Sequence, residues 1–192
     1  MLCVIDPDGR GPARSAHHAG LAHALHGAPG LERGAARVAH VELEQHIGRV
    51  NFLQDNESKS VFGVLRGLHY QQGEYSQAKL VRVIKGTVLD VAVDLRTASP
   101  TFGKHISVEL SEDNKRQLFI PRGFAHGFLV LSDEAIFTYK VDNYYTPQAE
   151  ATIMYNDPQL KIDWPVDPSV LIVSDKDKCG TLFAEVATKS LF

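Results

Sequence analysis

The sequence predicts an all-β domain of the sandwich or barrel type over most of its length. From Phe52 onward, short runs rich in Val, Ile, Leu, Phe and Tyr alternate with Gly, Pro, Asn and Asp at near-regular intervals. This spacing is typical of antiparallel strands in sandwiches and barrels. The chain has 192 residues, 44% of them hydrophobic and 22% charged, which fits one globular domain or one domain with an appendage.

The N-terminal quarter of the chain differs in composition from the rest. Residues 1–51 contain no Phe, Tyr or Trp and are dominated by Ala, Gly, Arg and His. Because such a segment is poor at forming a core, we expect residues 1–50 to be an atypical arm and residues 51–192 to be the domain. Within the arm, residues 38–48 could form a short helix that ends at Gly48.

Six of the nine histidines lie in this arm. No cysteine or carboxylate is interleaved with them at the spacing of metal ligands, so we interpret them as surface residues. They are His17, His18, His23, His26, His40 and His46.

Seven segments are predicted to be strands. In chain order they are residues 63–70, 78–84, 87–95, 104–110, 116–121, 126–131 and 135–141. In the third segment Leu89, Val91, Val93 and Leu95 alternate with Val88, Asp90, Ala92 and Asp94. One face of that strand is therefore apolar, and the other carries two carboxylates that could face water or a polar cavity. After a turn rich in Pro and Asp, residues 181–192 could form a terminal helix.

Charge and cysteine content narrow the class of protein. The formal net charge of -3 gives no basic surface, so we expect no nucleic-acid partner. Cys3 and Cys179 lack the spacing of a zinc site and suggest a reducing compartment. No signal peptide is recognisable, and no apolar run approaches the ~18 residues that a membrane span needs. We therefore expect a cytoplasmic protein without a membrane segment.

Several ionisable residues lie inside the apolar runs and predict a polar cavity. They are Arg66, His69, Lys79, Asp90, His126 and Tyr139. In a small barrel alternate residues of each strand face inward, so polar groups on several strands can converge on one site. A histidine base, a lysine beside a developing oxyanion, a tyrosine acid and a phosphate-binding arginine suit proton abstraction next to a carbonyl of a phosphorylated substrate.

Motifs of other enzyme classes are missing. The sequence has no nucleophile elbow, no GxGxxG after a strand and no Walker loop, which argues against hydrolase, dehydrogenase and kinase functions.

Arg66 and His69 pose a geometric problem, because both are expected to be buried although they lie three residues apart. Along a regular strand they would face opposite sides of the sheet. Gly67 between them predicts a bend or bulge that turns both toward one ligand.

The residues between Phe52 and Asp177 resemble the dTDP-4-dehydrorhamnose 3,5-epimerases. The segments that carry the resemblance are residues 52–71, 77–96, 99–111, 118–145, 157–165 and 174–177. The resemblance implies a cupin-type jelly-roll sandwich or barrel with short C-terminal helical segments. It also implies a homodimer that acts on a dTDP-sugar with no metal and no organic cofactor.

A comparison with metal-dependent cupins supports the expectation of no metal. The first cupin motif would begin at Gly63 and include His69, but Gln71 replaces the next histidine and Lys79 replaces the glutamate. His126 keeps its place in the second motif, "PRGFAH". A site that exchanges a carboxylate for an ammonium should repel a divalent cation.

The resemblance also implies a role for each site residue. His69 would remove the protons at C3 and C5, and Asp177 would orient its imidazole. Lys79 would stabilise the enolate oxygen at C4, and Tyr139 would return a proton from the opposite face of the sugar. The implied substrate-binding residues are Arg66 at the diphosphate, Gln54 and Asn56 at the nucleotide, His126 and Asp90 in the pocket, and Tyr145 at the nucleotide end.

The arm departs from the family pattern. Family members carry a D-x-RG-x-F-x-E stretch that reaches the partner's site, whereas here "LERGAARVAH" has Arg33 and Gly34 followed by alanines. A divergent arm or a reading-frame error upstream of about Glu42 would explain the difference, and Arg33 is given no role.

The expected function is epimerisation of dTDP-4-keto-6-deoxy-D-glucose at C3 and C5 to dTDP-4-keto-L-rhamnose. The alternatives are an epimerase that acts at C3 or C5 alone, a catalytically impaired cupin that binds sugar nucleotides, and a metal-dependent cupin.

Overall fold

The computed structural model describes residues 2–5, 22–25 and 47–187 of the chain. These residues form twelve strands: β1 (Leu2–Ile5), β2 (Ala22–Leu25), β3 (Gln54–Val61), β4 (Val64–Gln71), β5 (Lys79–Lys85), β6 (Thr87–Asp94), β7 (His105–Ser111), β8 (Gln117–Ile120), β9 (Phe124–Val130), β10 (Glu134–Val141), β11 (Glu150–Thr152) and β12 (Ile172–Val173). Two short helices follow, α1 (Asp175–Lys178) and α2 (Phe183–Val186).

The strands form two sheets that pack face to face. Sheet A has the order β2-β1-β8-β5-β10-β3, and sheet B has the order β11-β4-β9-β6-β7 with β12 beside β4. Neighbours are antiparallel except in the pairs β1–β2 and β12–β4. The predicted all-β sandwich with short C-terminal helical segments is confirmed.

All seven strands predicted from the sequence are present, with ends that differ by at most two residues. The predicted terminal helix corresponds to α2, and residues 188–192 lie outside the described part of the chain. Of the helix predicted for residues 38–48, residues 38–46 lie outside the described part of the chain. The side chains of the six arm histidines also lie outside the description.

The main core lies between the two sheets. Val81 and Val83 of sheet A meet Val88, Ala92 and a group of aliphatic and aromatic side chains from both sheets. The opposite face of β6 is buried too, because Val91 and Val93 pack with Leu95 and the C-terminal segment in a second cluster. The carboxylate-bearing face of β6 therefore faces the interior of the sandwich, where Asp90 is completely buried.

The first strand of the arm is part of this architecture. β1 pairs with β8 at one side of sheet A. Leu2 and Val4 enter the core between the sheets, while Cys3 packs on the outer face with Leu80 and Phe119. The boundary predicted near residue 50 remains a prediction.

Among the residues described, no helix has the length and apolar character needed to cross a bilayer.

Candidate active site

A cavity of about 290 Å³ opens at one end of the sandwich and is lined by both sheets. Six residues predicted for the site line it: Gln54, Asn56, His69, Lys79, Tyr139 and Tyr145. The cavity brings groups from strands β3, β4, β5 and β10 to one place, as expected for a barrel whose alternate residues face inward. Tyr70, Gln71, Gln77, Val141 and Glu150 complete the lining.

Strand β4 contains an irregularity between Arg66 and His69. Arg66 lies opposite Phe128 on β9, and His69 lies opposite His126, so β4 holds one residue more than β9 between these pairs. Directly opposite residues of an antiparallel ladder share a face, and His126 belongs to the inward face of β9, so His69 is turned toward the cavity. The bulge predicted at Gly67 is therefore confirmed.

Gly67 is required at this bulge. Its φ is +121°, a conformation that residues with a side chain rarely adopt. A Cβ at this position would lie 2.6 Å from Cα of Gly127 and 2.8 Å from the carbonyl oxygen of His126. The close approach of β4 and β9 thus depends on having two glycines face each other.

The expected burial of Arg66 is wrong. Its side chain is exposed, and it is not among the residues that line the cavity. An exposed guanidinium keeps its hydration, so no internal counter-charge is needed to offset desolvation.

His69 is paired with Asp177 as predicted from the resemblance. Nε2 of His69 lies 2.5 Å from Oδ1 of Asp177, whose side chain is only 1% exposed. Burial alone would raise the pKa of Asp177, but the hydrogen bond and charge of His69 outweigh it and hold the pKa below its usual value. Asp177 is therefore a carboxylate that fixes the imidazole, whose other ring nitrogen remains for a substrate proton.

Asp177 is positioned by the start of helix α1. The hydroxyl of Ser174 accepts a hydrogen bond from the backbone N–H of Asp177 at 3.1 Å. The cap fixes the start of α1. Because α1 directly follows β12, which pairs with β4, the helix lies beside the strand that carries His69.

Lys79 stands at the start of β5 and lines the cavity. Burial lowers the pKa of Lys79 to about 8, although the negative charges of Asp90 and Glu150 act in the opposite direction. The ammonium is thus less stable than in water and gains from any negative charge that develops beside it.

Asp90 and His126 form a buried pair. Nε2 of His126 lies 3.0 Å and 3.1 Å from the two carboxylate oxygens of Asp90. Burial raises the pKa of Asp90, and burial also lowers the pKa of His126, which favours the neutral imidazole. The sequence-based expectation that both residues line the pocket needs correction: neither is among the lining residues, because both point into the packed interior between the sheets.

Tyr139 and His69 lie on opposite sheets. Tyr139 belongs to β10 of sheet A, whereas His69 belongs to β4 of sheet B, and both line the cavity. Burial raises the pKa of Tyr139, and the nearby charge of Glu150 raises it further. The phenol therefore keeps its proton at neutral pH and can donate it to a ligand that lies between the sheets.

Glu150 is a cavity residue that the sequence did not reveal. Its Oε2 accepts hydrogen bonds from the hydroxyl of Tyr145 at 2.6 Å and from the ammonium of Lys176. Burial would raise the pKa of Glu150, but these two partners keep it below its usual value. Glu150 lies in a short strand with no strong apolar pattern, so only its pairing with Gln71 on β4 brings it to the site.

The described residues contain no group of three or more His, Cys, Asp or Glu side chains that could hold a metal ion.

The chain is similar to proteins of one family. Residues 34–185 match the family model described as dTDP-4-dehydrorhamnose 3,5-epimerase. A protein of that name from Shigella flexneri is 57% identical over 144 residues, which cover 74% of this chain and 78% of that protein.

Solved structures show the same similarity. The crystal structure of a dTDP-4-dehydrorhamnose 3,5-epimerase from Elizabethkingia anophelis has a TM-score of 0.74 at 50% identity, covering 76% of this chain and 80% of that one. A dTDP-6-deoxy-D-glucose-3,5-epimerase from Legionella pneumophila, in complex with dTDP-4-keto-L-rhamnose, has a TM-score of 0.72 at 51% identity, covering 76% and 79%.

Proposed function

Because this chain belongs to the dTDP-4-dehydrorhamnose 3,5-epimerase family, we propose a residue-by-residue account of how its cavity performs that reaction. The enzyme inverts C3 and C5 of dTDP-4-keto-6-deoxy-D-glucose and yields dTDP-4-keto-L-rhamnose, in L-rhamnose biosynthesis. Its jelly-roll fold is of the cupin type, as expected from the sequence.

His69 is the base of this proposal. Protons at C3 and C5 are acidic because each carbon lies next to the C4 ketone, so one imidazole can serve both positions if the sugar is suitably bound. The hydrogen bond to buried Asp177 supports this role, since the carboxylate stabilises the imidazolium that forms when the proton is taken.

Lys79 stabilises the enolate. Removing either proton moves negative charge onto the oxygen at C4, and a preformed cation in a water-poor site is most effective against charge that appears only during reaction. Burial lowers the pKa of Lys79, so its ammonium gains from a negative charge that develops beside it, which supports this role.

Tyr139 is the acid on the other face of the sugar. Inversion requires that a proton leaves on one side of the ring and returns on the other. The location of Tyr139 on sheet A and of His69 on sheet B supports this division of labour.

The remaining predicted residues bind the nucleotide in this proposal. Gln54 and Asn56 line the cavity, their side chains share a hydrogen bond of 2.8 Å, and Tyr145 stands at the mouth. Arg66 meets the diphosphate from its exposed position beside the bulge. Asp90 and His126 act from behind the cavity wall, where Asp90 favours the charged form of Lys79.

The observation that carries the mechanism is a carboxylate-paired histidine and a protonated tyrosine on opposite sheets, with a lysine in the same cavity. The test is to incubate the protein with dTDP-4-keto-6-deoxy-D-glucose in deuterated water and to follow the product by NMR. Deuterium at both C3 and C5 is expected.

This experiment, together with a dTDP-binding assay and a chelator treatment, separates the alternatives. Label at one carbon alone would indicate a mono-epimerase. Binding of dTDP without label would indicate a catalytically impaired cupin, and activity that is lost with a chelator and restored by a metal would indicate a metal-dependent one.

A homodimer in the cytoplasm completes the proposal. The outer face of sheet A exposes Arg82 and Ile84 beside Glu57, so that one surface offers both charges and an apolar group. Such a surface suits pairing with its own copy about a two-fold axis. Light scattering should give a mass close to twice that of the chain, and a monomer mass would contradict the dimer.

A further inference from the structure

Gln71 carries a hydrogen-bond donor that the proposed mechanism does not use. The residue is the last of β4 and lines the cavity, although only 5% of its surface is exposed. Its amide nitrogen Nε2 is buried and has no hydrogen-bond partner among the described residues. A buried amide donor without an acceptor is destabilising, so its retention in a cavity wall indicates a function.

The orientation of this amide is fixed by its other end. Oε1 of Gln71 accepts a hydrogen bond of 3.0 Å from the backbone N–H of Thr146. Rotating the amide by half a turn would place its NH₂ group against that N–H, two donors facing each other. The NH₂ group is therefore the end that remains for a ligand.

The surroundings decide what kind of acceptor this donor can take. Strand β4 is regular after the bulge at Gly67. Gln71 therefore lies on the same inward face as His69, which is two residues earlier. Directly opposite Gln71 on β11 is Glu150, which the low pKa of its carboxyl keeps negative. Because Gln71 offers one neutral donor beside this carboxylate, it suits an uncharged oxygen better than a phosphate oxygen, which binds best to charged donors.

The hydrogen bond between Gln71 and Thr146 indicates which part of the ligand the amide can reach. Thr146, which holds Oε1, directly follows Tyr145, whose hydroxyl is bound to Glu150. Gln71 thus stands between the base His69 and the tyrosine at the mouth. A carbonyl of the pyrimidine and an oxygen of the hexulose both have the required chemistry.

We propose that Gln71 is a substrate-recognition residue whose Nε2–H donates a hydrogen bond to an uncharged oxygen of the bound nucleotide sugar. The inference rests on the proposed function, because it takes the ligand to be a dTDP-sugar. The comparison with metal-dependent cupins showed only that Gln71 replaces the second histidine of the first motif. The proposal gives this residue a role of its own. In place of a metal ligand, β4 presents an oriented amide.

The experiment measures the affinity of Gln71→Met and Gln71→Glu for two ligands by calorimetry. The ligands are dTDP and dTDP-glucose, which lacks the ketone and so cannot react. Methionine removes both hydrogen bonds, and loss of one hydrogen bond to a neutral acceptor should weaken binding by about 3- to 10-fold. Glutamate keeps an oxygen for Thr146 but sets a second oxygen against the ligand, so a larger loss is expected.

The two ligands distinguish the two sources of the acceptor. If the oxygen belongs to the pyrimidine, both ligands should weaken by the same factor. If it belongs to the hexose, dTDP-glucose should weaken while dTDP does not. Either result supports the proposal.

Gln77→Met is the matched control. Gln77 also lines the cavity, but its Nε2 already donates to the backbone carbonyl of Asn143 at 2.8 Å. The affinities of Gln77→Met therefore measure how much binding weakens when a structural hydrogen bond of the cavity wall is lost but no unpaired donor is removed. Affinities of Gln71→Met no lower than those of this control would overturn the inference.

A purely structural role has its own signature. In that case Gln71→Glu, which keeps the bond to Thr146, would bind like the wild type while Gln71→Met would not, and the proposal would fall. The outcome is separable from failure of the proposed function, because deuterium exchange by the wild-type protein tests the reaction without reference to Gln71.

Discussion

The side chain of Asp177 shows how much of the proposed chemistry depends on a residue that never needs to touch the substrate. It is buried, ionised and bonded to His69 at 2.5 Å. Asp177→Asn keeps the shape but removes the charge that stabilises the imidazolium, and the amide can select the wrong tautomer of His69. Deuterium exchange should slow by about 10²- to 10⁴-fold while the affinity for dTDP changes little.

Asp175→Asn provides the control for this variant. Asp175 lies in the same helix but its side chain is fully exposed. Its substitution should leave the exchange rate within about 2-fold of the wild type, since surface substitutions have small effects. Equal losses in the two variants would remove Asp177 from the mechanism.

The ammonium of Lys79 predicts the alkaline limit of activity. Because the pKa of Lys79 is about 8, raising the pH through that value removes the cation that the proposed mechanism places beside the enolate, and kcat/KM should fall. Glu150 helps to hold the proton on Lys79, so Glu150→Gln should move this fall toward lower pH. The measurement is kcat/KM as a function of pH for both proteins.

Glu74→Gln separates this local effect from a general change of charge. Glu74 is exposed in the loop after β4, and its charge is not among those that act on Lys79. The alkaline limb should stay in place in this variant. A wild-type profile that is flat through pH 8 would rule out Lys79 as the stabilising cation.

At the scale of single residues, ionisable residues inside apolar runs were the sequence signal for the site, and three of the six, His69, Lys79 and Tyr139, line the cavity. His69, Lys79 and Tyr139 stand out because an ionisable residue in an apolar run is costly without a function. Gln71 and Gln77 are neutral and cause no such contrast, and Glu150 lies outside any apolar run. The exposure of Arg66 was missed because the apolar residues around it belong to the opposite face of β4 or to its ends.

At the scale of elements, strand β4 positions His69, the proposed base, by means of one extra residue. Gly67→Ala would introduce a Cβ within 2.6 Å of Gly127 at a φ of +121°. This contact and the one with the carbonyl oxygen of His126 both involve backbone atoms, so β4 itself must move. We expect the free energy of unfolding to fall by about 3 kcal/mol or more in urea denaturation. Exchange activity should fall as well, since His69 lies two residues after the bulge.

Gly73→Ala distinguishes crowding at the bulge from the conformational cost of alanine. Gly73 also has a positive φ, of +56°, but an added Cβ would meet nothing within 4 Å. Only the cost of the left-handed conformation remains, about 1 kcal/mol. A loss at Gly67 no larger than this would contradict the close approach of β4 and β9.

Strand prediction failed where the cavity replaces the core. β3 has the sequence QDNESKSV, with one aliphatic residue in eight, and no apolar alternation predicted it as a strand. Its inward residues Gln54 and Asn56 line the polar cavity, so the period of two is carried by polar side chains. For β6 the sequence left open whether the carboxylate-bearing face meets water or a polar cavity, and in the fold that face is buried.

At the scale of the whole molecule, the proposed mechanism requires that the two sheets keep a fixed position relative to each other at one end. His69 comes from sheet B, whereas Lys79 and Tyr139 come from sheet A. Interactions that hold the sheets together therefore also set the distance between base, cation and acid. The packing of Phe137 against Phe128, with ring centroids 4.4 Å apart, is one such contact deep in the sandwich.

The N-terminal strand extends this dependence to the arm of the chain. Composition marks the arm as a poor core former, yet Val4 in β1 is 3% exposed and packs between the sheets. Val4→Asp would bury a carboxylate there or force β1 off the edge of β8. We expect the free energy of unfolding, measured in urea, to fall by about 3 kcal/mol or more.

Val61→Asp, on the exposed side of β3 where Val61 is 52% exposed, should cost less than about 1 kcal/mol. If the two variants unfold at the same urea concentration, β1 contributes nothing to the sandwich, and the domain begins near residue 50.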